Sequence, residues 1–238
     1  MKNIPIVILN KDRLNPLRML VDALRKRNYE NIIIIDNESS YQPLLDWYKT
    51  SRVKVFHNTF NETLFDTGTF YRLAMEMRYP PFVDIVRGHY VFTDSDVVPD
   101  DCVPADFIEH MIEVCNEFSI HKVGLSLRID DLPNTESGRL FYNMEKGYWE
   151  NTIPHSKYTL YRAGVDTTFA LYHPNSPPLL NMNVIRMGGN YIARHLPWYY
   201  DINNLPDDEM YYLQKLKPNR GPTHSMKVKE RLEDMGKL

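Results

Sequence analysis

The sequence has little cysteine, no long apolar run and no marked excess of either charge, and each shortage removes a class of protein. Two cysteines in 238 residues, Cys102 and Cys115, are too few for a disulfide framework and lack metal-site spacing, so both read as reduced thiols. No apolar stretch approaches a membrane span, and the start from Met1 to Asn10 turns polar too soon for a signal peptide, so a cytoplasmic protein is expected. A formal net charge of -3 supplies no basic field for gathering a nucleic-acid polymer, so any phosphate chemistry must be local. Glycine is missing where it would matter most. Asn10-Lys11-Asp12-Arg13, the polar loop after the first apolar run, contains none, which excludes a dinucleotide fingerprint and a Walker loop at that point.

What is present suits one large α/β domain. With 43% hydrophobic and 25% charged residues the chain can bury a real core, and its 16 Tyr and 3 Trp offer faces that stack on sugars and bases as well as on each other. Ile4 to Leu9 is continuously apolar, as an inner strand covered on both faces would be. Asn15 is placed to cap a helix with Pro16 at its first position, and Leu17, Leu20, Val21 and Leu24 repeat at helical spacing before Arg25, Lys26 and Arg27. Ile32 to Ile35 is β-branched throughout and stops at Asp36. Strand, helix and strand in that order predict a parallel crossover, with the polar ends of both strands on one edge of the sheet.

The same edge should receive Asp94 and Asp96. Tyr90 to Thr93 reads as a buried strand that ends in two carboxylates one residue apart, Asp94-Ser95-Asp96, before Pro99 stops the ladder. Carboxylate oxygens suit a hard divalent cation, Mg²⁺ or Mn²⁺, which keeps waters and takes substrate phosphates in its remaining positions; a surface turn with two solvated acids is the plain alternative. Short helices are expected over Leu44 to Tyr48 and from about Thr69 to Met77, with a strand at Val53 to Phe56 between them. Pro104 opens a further helix with an apolar stripe, Val123 to Leu127 is a strand with the polar exit Arg128 to Pro133, and Thr167 to Tyr172 is strand-like. Asp207 to Leu216 reads as a late helix. Residues 1–217 are taken as one domain, about 1–100 forming the nucleotide half and 101–217 the acceptor half, and 218–238 as a basic tail or short helix.

Four segments taken together, Ile6 to Asn10, Ile34 to Asn37, Asp94 to Asp96 and Arg194 to Tyr199, resemble small nucleotide-sugar glycosyltransferases of the GT-A fold, near the large inverting family-two-like group. Val165 to Tyr172 and Trp149-Glu150 add to the likeness, which spans most of residues 4 to 200. The resemblance implies a single Rossmann-like α/β domain with a mostly parallel sheet flanked by helices. It implies that Asp36 reads the base, that Asp94 and Asp96 hold ribose and metal with Asp96 the principal ligand, and that His195 completes the metal or diphosphate site. Asn10, Arg13, Asp36, Asp94, Ser95 and Arg194 are the expected contacts to the donor, a UDP-sugar in the first instance, and the acceptor is expected to be a glycan or another hydroxyl. The family's Glu-Asp base on an intervening helix is not found. Asp166 is its expected substitute, with Asp130, Asp131 and Glu209 as alternatives, and Trp149, Tyr172 and Trp198 are candidates for the sugar pockets. A sugar-phosphate nucleotidyltransferase and a non-catalytic carbohydrate-binding protein are the competing readings.

Overall fold

Successive residues in the first two strands point to opposite faces, and both faces are covered. In the computed structural model, which describes residues 3–58, 67–76, 80–165, 169–174, 183–216 and 224–238, β1 (Ile6–Asn10) pairs in parallel with β2 (Ile32–Asp36) and with β4 (Tyr90–Asp94). Ile6, Ile8, Ile32, Ile34 and Val91 pack on one side with Leu17, Leu20 and Leu24 of α1 (Asn15–Arg25) and with Phe107, Ile108 and Met111 of α5 (Phe107–Glu117). Val7, Ile33, Ile35 and Phe92 pack on the other with Phe70, Leu73 and Ala74 of α3 (Thr67–Met75) and Phe82 and Ile85 of α4 (Pro80–Val86). Strands with two buried faces have no reason to alternate, so their runs are unbroken.

The described residues form one α/β domain around a ten-stranded sheet in the order β3-β2-β1-β4-β9-β6-β10-β8-β7, with β5 beside β10. Here β3 is Lys54–His57, β5 Val97–Pro99, β6 Lys122–Leu127, β7 Thr152–Ile153, β8 Leu160–Tyr161, β9 Ala170–Tyr172 and β10 Val184–His195. β1, β2, β3 and β4 run one way, and β6 and β10 run with them because β9 lies antiparallel between β4 and β6. The chain exits Asp36, Asp94, Arg128 and His195 therefore lie along one edge, where ligands bind open α/β sheets.

Several boundaries differ from the sequence reading. Asn15 does not cap α1 with its own side chain; Leu14 stands at the cap, without a side-chain bond, and Pro16 opens the first turn. α2 spans Gln42–Thr50, and α5 begins at Phe107 rather than at Pro104. Arg27, read as a helix-end charge, is buried and donates to the carbonyls of Ala23, Asp100 and Val103. The strand near Tyr172 is only Ala170–Tyr172, and residues 166–168 lie outside the described residues. α6 spans Glu136–Glu145 and α7 Asp207–Lys215. α8, His224–Asp234, lies in the expected tail, with Leu232 fully buried and Lys229 Nζ donating to the Leu216 carbonyl at 2.8 Å.

Candidate functional site

The registers of β1, β2 and β4 set Asn10 opposite Asp36 and Leu9 opposite Asp94, so three polar strand ends meet at the edge. Asp36 is 1% exposed. Its Oδ2 accepts from the Ser39 backbone N–H at 3.1 Å, and its Oδ1 accepts from Tyr48 Oη at 3.1 Å. Tyr48 in turn accepts from Asn10 Nδ2 at 3.1 Å, and His57 Nδ1 lies 3.4 Å from Asp36 Oδ2. Burial, with the Asp36 carboxylate beside it, pushes the Tyr48 phenol up and keeps it a donor. Asn10, Tyr48 and Asp36 thus form one fixed relay at the mouth of the sheet.

The loop between β1 and α1 is held by carboxylates. Asp12, at φ +56°, accepts from the backbone N–H groups of Ser40 and Tyr41 at 2.6 and 2.9 Å and gives its own N–H to Ser39 Oγ at 2.8 Å. Asp208 of α7 occupies the N-terminus of α1. Its Oδ2 accepts from the N–H groups of Leu14 and Asn15 at 2.8 and 2.6 Å, and its Oδ1 accepts from Asn15 Nδ2 at 2.9 Å. The end of a helix that attracts anions is filled by the protein's own anion.

Next to it sits a buried cation between two carboxylates. Arg13 grips Glu209 in bidentate fashion, Nε to Oε2 at 2.7 Å and Nη2 to Oε1 at 2.8 Å, while Nη1 meets Asp96 Oδ2 at 2.7 Å. Ser225 Oγ of α8 accepts from Nη2 at 3.4 Å, and the guanidinium lies 4.0 Å from the Tyr212 ring centroid. Burial alone would lower the Arg13 pKa, but Glu209 and Asp96 outweigh it and hold the group well above its ordinary value. His195 Nε2 stands 3.8 Å from Asp96 Oδ1. Desolvation pulls the imidazole below its usual range against the opposing pull of Asp96. The Leu196 N–H donates to the Asp96 carbonyl at 2.9 Å, tying the two segments together.

Among the described residues no three or more His, Cys, Asp or Glu side chains are arranged to hold a metal ion, so Asp94, Asp96 and His195 do not form a preformed cage. One carboxylate, already bonded to Arg13, with an imidazole beside it are the donors that a Mg²⁺ or Mn²⁺ ion would meet here, with water and substrate phosphates left to supply the remaining ligands. Asp94 is half-buried at the end of β4, and Ser95 is buried with its N–H on the Leu9 carbonyl at 3.0 Å.

Other expected site residues lie elsewhere on the edge. Arg194 does not share the Asp96 cluster; its Nε donates to Asp100 at 2.9 Å and its Nη2 to Asp131 at 2.5 Å. Arg128 joins them, bonding Asp100 at 3.2 Å and Asp130 at 2.9 Å, and Tyr199 donates to Asp131 at 2.9 Å. Asp130, Asp131 and Glu209 are therefore each committed to a guanidinium. Asp166 lies outside the described residues. Tyr172 is buried at the opposite edge, stacked on Tyr90 at 5.1 Å, so it cannot line a pocket beside Asp94. Trp198 has Phe141 stacked on it at 5.0 Å and His195 at 4.9 Å, and Trp149 packs edge-on against Tyr161. Asp208 and Asp12 were missed by the sequence reading. The only signal was a run of three acids, Asp207 to Glu209, at the start of a helix.

No protein-family model matches the chain, and no curated protein matches it. Solved structures similar to it include a chain described as a glucose-1-phosphate thymidylyltransferase from Bacillus anthracis in complex with a sucrose, at 12% identity and TM-score 0.39, covering 98% of this chain and 83% of that one. HddC from Yersinia pseudotuberculosis complexed with GMP-PN is similar at 14% identity and TM-score 0.44, covering 90% of this chain and 100% of the other. A 4-diphosphocytidyl-2C-methyl-D-erythritol synthase follows at 10% identity and TM-score 0.41, covering 88% and 96%. At this level the likeness carries no argument about function.

Proposed function

We propose that the chain is a metal-dependent glycosyltransferase that moves a sugar from a nucleotide-diphosphate donor, first of all a UDP-sugar, to a hydroxyl of a glycan. The observation that carries this over nucleotidyl transfer is the Asp208 carboxylate at the N-terminus of α1, with the amides of Leu14 and Asn15 already taken. A nucleotide triphosphate cradled by the loop after the first strand would need those groups. A diphosphate held from the Asp96 side would not. The Asn10–Tyr48–Asp36 relay supports base and ribose recognition at the β1–β2 end, and Arg13 and His195 border the diphosphate. When bound at Asp96 and His195, Mn²⁺ or Mg²⁺ supplies charge compensation for the departing diphosphate.

The acceptor's proton requires a base. Asp130, Asp131 and Glu209 are tied to guanidinium groups, which favours Asp166 for that role. Asp166→Asn is expected to abolish transfer and spare donor binding; full activity would move the role elsewhere.

The second reading is sugar-phosphate nucleotidyl transfer, the kind of activity named for one of the solved structures above, and it differs in its leaving group. A glycosyltransferase incubated with a panel of nucleotide sugars and Mn²⁺ releases nucleoside diphosphate slowly without acceptor. A nucleotidyltransferase given nucleoside triphosphate and sugar 1-phosphate releases pyrophosphate. The first product is expected here, and pyrophosphate would overturn the proposal. A binding protein without activity would yield neither.

A further inference from the structure

We infer that His57 reads the donor's base and that Asp36 acts through it as a positioning residue, fixing which ring nitrogen carries the proton and leaving Nε2 as a hydrogen-bond acceptor at the ligand edge. The inference rests on the nucleotide-sugar reading and deepens it by naming the base as uracil rather than cytosine. Asp36 is poorly placed to touch a ligand itself. Its side chain is 2% exposed, its Oδ1 takes the Tyr48 hydroxyl, and its Oδ2 takes the Ser39 N–H and faces His57 Nδ1 at 3.4 Å. The His57 side chain is 62% exposed, and among the described residues that meet this carboxylate it is the one open to a ligand. The strand beneath it is held: His57 stands opposite Asp36 in the β2–β3 register, and the Asn58 N–H donates to the Asp36 carbonyl at 2.8 Å. The Tyr48 ring backs the imidazole edge-on, with centroids 6.4 Å apart.

A carboxylate only accepts hydrogen bonds, and a neutral imidazole carries one N–H. The ring nitrogen that faces Asp36 is therefore the protonated one, Nδ1, and Nε2 keeps its lone pair on the side turned away from the carboxylate. Uracil offers N3–H to such an acceptor. Cytosine presents a lone pair at N3 instead, so the same contact sets two acceptors against each other. The sheet order gives the rest of the nucleotide its course. β3 lies three strands from β4, about 14 Å at the spacing of paired strands, so a nucleotide whose base meets His57 runs along the edge with its diphosphate toward the β1–α1 loop and Arg13.

The test is calorimetric titration of UDP and of CDP into the full chain with Mn²⁺ at about pH 8, where an imidazole is neutral, for wild type, His57→Phe, His57→Gln and Asp36→Asn, each checked for folding by circular dichroism. Wild type is expected to prefer UDP at least about tenfold, the worth of one net hydrogen bond. His57→Phe is expected to bring the two nucleotides within about threefold of each other by weakening UDP. His57→Gln, whose amide turns either an oxygen or an N–H to the base, is expected to keep UDP and admit CDP. In parallel, ¹⁵N NMR of the imidazole without nucleotide should show the Nδ1–H tautomer in wild type and a shift toward Nε2–H in Asp36→Asn. A preference for UDP that survives His57→Phe overturns the inference, as does an Nε2–H tautomer in wild type. Equal binding of UDP and CDP by wild type overturns the inference alone, whereas binding of neither overturns the nucleotide-sugar reading and the inference with it. If Asp36→Asn does not fold, the two variants at the exposed His57 still decide.

Discussion

Asp208 fixes the first helix from the far end of the chain, and its removal should be felt in stability before anything else. It accepts two backbone N–H bonds and one from Asn15 Nδ2 while itself almost wholly buried. Asp208→Asn keeps the shape but loses the charge at a helix N-terminus, and we expect a loss of about 1–3 kcal/mol in urea unfolding. A second residue sets the acid limit. Burial would raise the Asp100 pKa, but hydrogen bonds from Arg128, the Cys102 N–H and Arg194 hold it below the ordinary carboxylate range. A carboxyl depressed in the folded state adds stability that is complete above its unfolded pKa of about 3.9 and is lost as the pH falls through the folded value. Asp100→Asn should therefore flatten the stability profile below about pH 4, measured as denaturation midpoint against pH. An unaltered acid limb would show that the Arg128–Asp100–Arg194 contacts contribute nothing to it.

At the scale of elements, β10 does the most to place the site. It pairs with β8 in its first half, with β6 on both sides of a register shift between Met187 and Ile192, and with β5 at its end, which brings His195 opposite Val97 and beside Asp96. Two glycines permit the irregularity. Gly189 sits at φ +63°, and a Cβ on Gly188 would stand 2.5 Å from Tyr161 Cε2. Gly188→Ala must push the Tyr161 ring or the strand, at a cost of about 1–3 kcal/mol, and we expect weaker Mn²⁺ binding together with the lower unfolding midpoint, because the displaced strand carries His195. The neighbouring Arg186–Glu145 pair is buried, and Arg186 Nε also holds the Gly164 carbonyl at 2.6 Å. Glu145→Ala leaves that guanidinium without its carboxylate, and about 3–5 kcal/mol of stability should be lost in the same assay.

Elements and their contacts were unequally legible. The helix over Leu17 to Leu24 and the strands at Ile6 and Ile32 stood out because burial on two faces or one stripe writes a period into the sequence. β9 is three residues long and antiparallel, and nothing local records the direction of so short a strand. α7 was visible as a helix, but no periodicity says that two of its acids reach back to α1 and Arg13. Tyr172 and Trp198 looked like sugar platforms because an aromatic residue reads the same whether its face meets a ligand or another ring.

For the whole molecule, the edge of the sheet is where a ligand is expected. The place of Asp36, Asp94 and Asp96 on it was legible because each acid follows an unbroken apolar run, and the sheet does set the ends of those strands on one side. Their partners were not, since Arg13 meets Glu209 across 196 positions of sequence. The account stands on a nucleoside diphosphate that enters this crevice with a divalent cation against Asp96. Calorimetric titration of UDP into the wild-type chain and into Asp96→Asn, each with and without Mn²⁺, tests that most directly. Binding to wild type that depends on Mn²⁺, and its loss in Asp96→Asn, is the predicted result. UDP bound equally well by both proteins, or indifferently to Mn²⁺, would contradict it.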